Sequence, residues 1–502
     1  MRSEASATTP AHGSRATRRS GRAPEQASEA GVQANLEHGE RPGLEREPGS
    51  YRDPAGFVYR RDGVLLRQVD ASFGARWDDL AASGLLERLQ AVGALVPHET
   101  VPLELAFDPA TAHVVIRPEP VPFISYPYEW SFGQMRDAAL LTLEAQTQAS
   151  EMGFTLRDAS AYNVQFQRGK PVLIDTLSFQ RAEPGAPWAA YRQFCEHFVA
   201  PLALIAYRDP RCRLMLRANL DGIPLDLAAR LLPGRTRFNL GLGAHIHAHA
   251  RAQRHYADRP DAAAASTIRM SPLKQAALID GLRRTIEGLH WEPTGTEWAD
   301  YADHTSYGDD AARAKDDIVR DMLHSVGGST VWDLGANTGR FSRIAAALGC
   351  RVVAWDIDPA ATETHYRTIR REGTTTVLPL LGDIAQPSPA LGWALTERRS
   401  MLDRADADVV LALALIHHLA IGRNVPLTAA ADVFARLGPN LIVEFVPRED
   451  AMVQRLLATR EDVFTDYTEA GFRAAFDRRF EIQETAPIDG SRRTLFRMRR
   501  RS

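Results

Sequence analysis

Val331, Trp332 and Leu334 form a short apolar run that carries one acid, Asp333, and then breaks at Gly335, Asn337 and Gly339. Past Gly339 the period changes. Phe341, Ile344, Ala345 and Leu348 recur at three- and four-residue spacings, which predicts a helix. A strand running through a glycine turn into a helix opens a doubly wound α/β unit, whose ligand lies where the strand ends and the helix begins. The alternation continues to the carboxyl terminus. RVVAWDI predicts a second strand with Asp356 at its tip, followed by Asp358-Pro359 and a helix to about Arg371. TTTVLPLLGDI predicts a third strand, with Asp383 and Ile384 at its end. ADVVLALAL is the fourth, running into Ile416, His417, His418 and Leu419, and PNLIVEFVP is the fifth, ending near Glu444. RFEIQETAPI and RRTLFRMRR read as a closing antiparallel pair. Strands alternating with helices over 315–502 predict a seven-stranded, doubly wound Rossmann-like domain.

Upstream the pattern is of another kind. FVYRRDGVLLRQV alternates about Asp62-Gly63, a hairpin signal. WDDLAASGLLERLQAVGAL reads as one amphipathic helix, and HVVIRPEPVPFI as a strand entering a proline-rich hinge. Met135 to Met152 is a helix with Ala138, Leu141, Ala145 and Ala149 on one face. In TLRDASAYNVQFQRGKPVLIDTLSF a short hairpin separates Asp158 and Asn163 from Asp175, and residues 188–256 read as helices. This makes an α+β unit over 51–257. DRPDAAAAS then marks a linker, and 258–314 holds a helical lead-in that includes Ser306 and Tyr307.

Composition narrows the function. Residues 1–50 hold few large apolar side chains and are expected to be a disordered tail. A formal net charge of −3 over 502 residues carries no global nucleic-acid signature. The most apolar window, VVLALALIHHLAI, is too short for a membrane span. Three widely spaced cysteines, Cys195, Cys212 and Cys350, make no metal or disulfide pattern, which points to a reducing, cytoplasmic setting. HIHAH places His245 and His249 on one helical face, but no HExxH glutamate accompanies them, so no metal site is assigned.

The glycine turn carries the chemistry. A dinucleotide fingerprint reads GxGxxG, with its acid after the second strand. Here an acid precedes the first glycine in DxGxNxG, which resembles motif I of class I methyltransferases, the enzymes that bind S-adenosylmethionine (AdoMet). That resemblance implies a cofactor site made by Asp333, Gly335, Asn337, Gly339, Asp356, Asp383, Ile384 and Tyr307. Asp356 would hold the ribose diol and Asp383 the adenine amino group. His417 and His418, at the tip of the fourth strand, are the candidate catalytic bases.

Asp158, Asn163 and Asp175 resemble the catalytic and metal-binding loops of the kinase-like fold, with Asp158 as base and Asn163 and Asp175 as metal ligands. Leu156 and Thr176-Leu177 depart from that pattern, and no glycine-rich loop or strand lysine precedes them. The resemblance therefore implies an accessory domain. SYPYEW, LRDASAYNVQF, DLGANTG, IHHLA, EFVPRED and RRTLF together resemble the NoeA-like nodulation-protein methyltransferases. The expected activity is AdoMet-dependent methylation of a small-molecule, lipid or saccharide acceptor. The alternatives are a kinase-like phosphotransferase and a non-catalytic AdoMet-binding regulator.

Overall fold

The computed structural model describes residues 43–251, 269–294, 309–458 and 460–501. Tyr307, Ser306, the linker at 258–266 and most of the expected tail lie outside the described residues. Ordered structure starts before the expected boundary at residue 50. Strand β1 (Leu44–Arg46) pairs antiparallel with β2 (Gly56–Arg61). The expected hairpin forms between β2 and β3 (Val64–Asp70), with Asp62 and Gly63 both at positive φ. With β4 (His98–Val101) and β5 (Ala112–Pro118) they build a five-stranded sheet ordered β1-β2-β3-β5-β4. The single helix expected after β3 is two, Gly74–Ala82 and Leu85–Ala91. Gly84, at φ 77°, turns the chain between them.

The helix Phe132–Glu151 starts at a capping box in which the Ser131 hydroxyl accepts from Gln134 N and the Gln134 side chain accepts from Ser131 N. It leads through β6 (Phe154–Leu156) to the hairpin of β7 (Val164–Gln167) and β8 (Lys170–Leu173). Strand β9 (Phe179–Arg181) then returns to pair with β6.

The second sheet has seven strands: β10 (Thr330–Leu334), β11 (Arg351–Asp356), β12 (Val377–Leu381), β13 (Val409–Ala412), β14 (Asn440–Phe445), β15 (Phe480–Pro487) and β16 (Thr494–Arg500). Their order is β12-β11-β10-β13-β14-β16-β15. The first five are parallel, and β16 inserts antiparallel between β14 and β15. Strands β10, β11 and β13 read as near-continuous apolar runs because helices cover both faces. Strand β13 is shorter than its apolar run predicts: Ala414 adopts φ 50°, which ends the ladder and turns the chain above the sheet. The order reverses between β10 and β13, and that switch point places the ligand crevice.

The two halves share a single core that includes Val69, Trp130, Trp332 and Met498. Buried and half-buried polar contacts also join them. Glu129 receives Arg404 Nη1 at 2.9 Å and the Ser388 hydroxyl at 2.6 Å. Glu363 accepts from Gly133 N at 2.7 Å, Tyr366 donates to Asp137 at 2.7 Å, and Arg399 N donates to the Tyr126 hydroxyl at 2.8 Å.

Candidate cofactor and acceptor site

A cavity of about 590 Å³ opens above the carboxyl ends of β10, β11, β12 and β13. Asp333, Gly335, Asn337, Asp356, Asp383, Ile384 and His418 all line it. The loop after β10 has to reverse direction tightly. Gly335 is at φ 73° and Gly339 at φ 80°, and Asn337, at φ 49°, is a residue type that tolerates this left-handed region.

Gly339 is not among the cavity walls. A Cβ there would lie 2.0 Å from His365 Nε2, so glycine is required by backbone conformation and by the histidine packed against it. Of the expected cofactor-binding glycines, Gly335 lines the cavity, whereas Gly339 shapes the loop that borders it.

Asp356 is almost buried and binds the loop to the second strand. One carboxylate oxygen accepts from Asn337 N at 2.7 Å, the other from Asp358 N at 2.8 Å. Asp333 accepts from the Ser342 hydroxyl at 2.6 Å. Burial pushes both carboxyls up, each to about 6, because a desolvated site disfavours the charged form. Each therefore stands ready to gain from a hydrogen-bonding or cationic ligand. Asp383, at the far end, accepts from Ala385 N at 2.9 Å and from Arg423 at 3.2 Å.

The paired histidines separate in role. Their rings lie 4.0 Å apart. His418 faces the cavity, whereas His417 is fully buried, off the cavity wall, and among the described residues neither ring nitrogen of His417 has a hydrogen-bond partner. Burial, then Arg493, lowers His418 to about 4, and burial first holds His417 well below the ordinary imidazole range. Both are neutral near neutral pH. Of the two candidate bases, the structure places only His418 on the cavity wall, with His417 packed behind it.

Two further residues belong to the site and escaped the sequence reading. Lys315, on the helix Asp309–Val326, and Arg493, just before β16, both line the cavity and are nearly buried. Lys315 Nζ donates to Glu444 at 2.5 Å and lies 4.8 Å over the Phe341 ring. Arg493 reaches Asp450 at 2.7 Å and Glu444 at 3.3 Å. A signal for Lys315 was present, since it falls in register with Ala311, Val319 and Met322, the buried stripe of its helix.

In the amino-terminal half, Asp158, Asn163 and Asp175 do gather. Asp158 accepts from Ser160 N at 2.9 Å and Gln193 at 2.8 Å, and Asn163 and Asp175 share Ser178 as a partner. Arg67, on β3, pairs with Asp175 at 2.7 Å and with Asp53 at 3.3 Å, and Arg157 pairs with Asp53 at 3.0 Å. Burial pushes Asp175 up, but Arg67, the hydrogen bonds from the Ser178 hydroxyl and Leu177 N, and Arg157 together outweigh it and hold the carboxyl below its usual range. Among the described residues no cluster of histidine, cysteine and acidic side chains is arranged for a metal. His245 instead bonds the Tyr191 hydroxyl at 2.8 Å and His247 the Thr236 hydroxyl at 2.8 Å.

A mostly parallel sheet with its antiparallel closing pair, and acids rimming the crevice at its switch point, define a Rossmann-like domain of the methyltransferase type. The chain belongs to the NoeA family. It is 36% identical over 468 residues to nodulation protein NoeA of Rhizobium meliloti (strain 1021), covering 92% of this chain and 97% of that protein. No family profile matches it. Among solved structures it is similar to magnesium protoporphyrin IX methyltransferase ChlM of Synechocystis PCC 6803, at 17% identity over 39% of this chain and 90% of that one, TM-score 0.29. N-methyltransferase NodS of Bradyrhizobium japonicum WM9 matches at 16% identity over 39% of this chain and 98% of its own, TM-score 0.29. The bifunctional kinase-methyltransferase WbdD matches at 14% identity over 40% of this chain and 42% of its own, TM-score 0.28.

Proposed function

We propose that this protein is an AdoMet-dependent methyltransferase acting on a small-molecule, lipid or saccharide acceptor. The observation that carries the reading is the placement of three carboxylates, Asp333, Asp356 and Asp383, along one wall of a single cavity. They sit at the tips of three adjacent strands. That spacing suits a ligand with an amino acid at one end, a ribose diol in the middle and an adenine amino group at the other. When bound, AdoMet supplies a methyl group made electrophilic by its sulfonium, which leaves as S-adenosylhomocysteine.

The chain's own residues then position and exclude. Asp356 accepts the ribose hydroxyls while its existing bonds to Asn337 N and Asp358 N keep the carboxylate oriented. Gly335, at positive φ, leaves the wall open for close approach of the ligand. Leu413, Leu415, Leu419 and Leu456 form the apolar wall beside His418 and shield the methyl from water. His418, neutral, accepts a hydrogen bond from the acceptor's hydroxyl or amine and aligns its lone pair for in-line attack. Much of the rate comes from that alignment. In this reading residues 51–257 form a kinase-like accessory domain that grips the acceptor and transfers no phosphate. Two guanidinium groups, Arg67 and Arg157, already neutralise Asp53 and Asp175, which removes the negative charge a magnesium ion would need.

The test is transfer of a labelled methyl group from AdoMet into a cell extract, with mass spectrometry of the labelled product. Transfer that disappears in Asp356→Asn supports the reading. Binding of S-adenosylhomocysteine without any transfer would instead mark a regulator.

A further inference from the structure

We propose that Lys315 is the carboxylate-binding residue of the cofactor site, holding the amino-acid end of the bound nucleoside together with Asp333. This rests on the AdoMet reading above and adds the residue that recognises the ligand's zwitterionic end.

The argument begins with charge on the cavity wall. A methionine or homocysteine portion carries an ammonium and a carboxylate side by side, so a site for it needs an anion and a cation side by side. Asp333 supplies the anion, at the tip of the central strand. Among the described residues, four cations line the cavity: Lys315, Arg340, Arg423 and Arg493. Arg423 pairs with Asp383 at the adenine end, with its side chain half exposed. Arg340 is also half exposed and pairs with Asp316 on the outer face of the neighbouring helix. Arg493 is gripped by two carboxylates, with its Nε and Nη2 both on Asp450 and its Nη1 on Glu444.

Lys315 differs from the two half-exposed arginines in its burial, and from Arg493 in presenting a compact ammonium that Asp450 does not grip. Its side chain is 6% exposed, yet it lines the cavity, and Glu444 and the Phe341 ring fix the ammonium from behind and beside. Its charge reaches Asp333, where it lowers the carboxyl against the effect of burial. An ammonium has three N–H donors and can bridge two carboxylates, so Glu444 can orient it without preventing it from binding a ligand. A lysine held in the buried stripe of a helix costs desolvation free energy. Recognition of a ligand carboxylate gives that position a function.

The experiment compares two nucleosides by calorimetry. S-adenosylhomocysteine carries the amino-acid portion and 5′-methylthioadenosine lacks it. Lys315→Met should weaken S-adenosylhomocysteine about tenfold or more, as for loss of a charged hydrogen bond, and leave 5′-methylthioadenosine unchanged. Lys315→Arg should restore most of the difference. If Lys315→Met misfolds because Glu444 loses a partner, the double variant Lys315→Met with Glu444→Gln removes both charges and should show the same selective loss. Equal weakening of both nucleosides in the double variant, or unchanged S-adenosylhomocysteine affinity in either variant, overturns the proposal. A wild-type protein that binds neither nucleoside ends the AdoMet reading itself, which the unchanged-variant outcome does not.

Discussion

At the scale of single residues, two buried acids line the site, and the proposed ligand contacts predict how affinity varies with pH. Asp333 and Asp356 are each raised to about 6 by burial. A raised carboxyl pKa means the folded state holds its proton more tightly than the unfolded chain. Each acid therefore stabilises the fold most at low pH, and that contribution is lost as pH rises from about 4 to about 6. Ligand binding has the opposite sign. A ribose diol or an ammonium favours the carboxylate, so affinity for S-adenosylhomocysteine should rise with pH up to about 6 and then level. Calorimetry at about pH 5 should give an affinity about tenfold weaker than at about pH 7, and a flat profile would show that neither acid contacts the ligand. Asp356→Asn keeps an acceptor for one loop amide but removes the charge. It should weaken the nucleoside by roughly 1.5–3 kcal/mol and lower stability by about 1–3 kcal/mol, because the amide NH2 faces the other backbone donor.

At the scale of elements, glycines at positive φ are required for two separable reasons, one at the end of a helix and one in the loop between β10 and the helix Arg340–Ala347. Gly373 ends the helix Pro359–Glu372 at φ 69°, with nothing within 4 Å of where a Cβ would be. Gly339 has a similar φ, but its Cβ would overlap His365. Gly373→Ala should therefore cost only the left-handed strain, about 1–2 kcal/mol. Gly339→Ala should cost distinctly more, because His365 is buried in its own helix and has little room to move. Chemical denaturation of the two variants checks this. Equal losses would mean that His365 moves aside.

At the scale of the whole molecule, Glu129 and Arg404 join the halves through a buried ion pair. Arg404 also stacks over Phe123, Tyr126 and Trp355, and Trp355 is itself a wall of the cavity. Breaking a buried pair from one side is costly, on the order of 3–5 kcal/mol. Glu129→Ala should lower stability by that amount, and calorimetry of the wild type should show one unfolding transition rather than two. A fragment of 267–502 would lose the contacts of Arg404 with Glu129, Glu363 with Gly133 N and Trp332 with Phe123, and should be poorly soluble. Two independent transitions, or a stable fragment, would show that the shared core is not cooperative.

The sequence by itself determined the doubly wound order of elements. Apolar runs of strand length alternate with helical spacing across 315–502, and both periods are local properties. It also placed Asp333, Asp356 and Asp383 at strand tips, because each acid ends an apolar run. The hairpin at Asp62-Gly63 was legible for the same reason. The break at Gly84 and the early end of β13 were not, since a helix-compatible glycine and an apolar Ala414 show their positive φ only in the folded backbone. Only the tertiary structure decided which of two adjacent histidines faces the cavity and that Gly339 serves His365. It alone showed that Arg67 cancels Asp175 and that Lys315 meets Glu444 across the site. Those are contacts between residues far apart in the chain, and what decides them is burial: a charge or ring taken out of water must find its partner wherever the fold brings one.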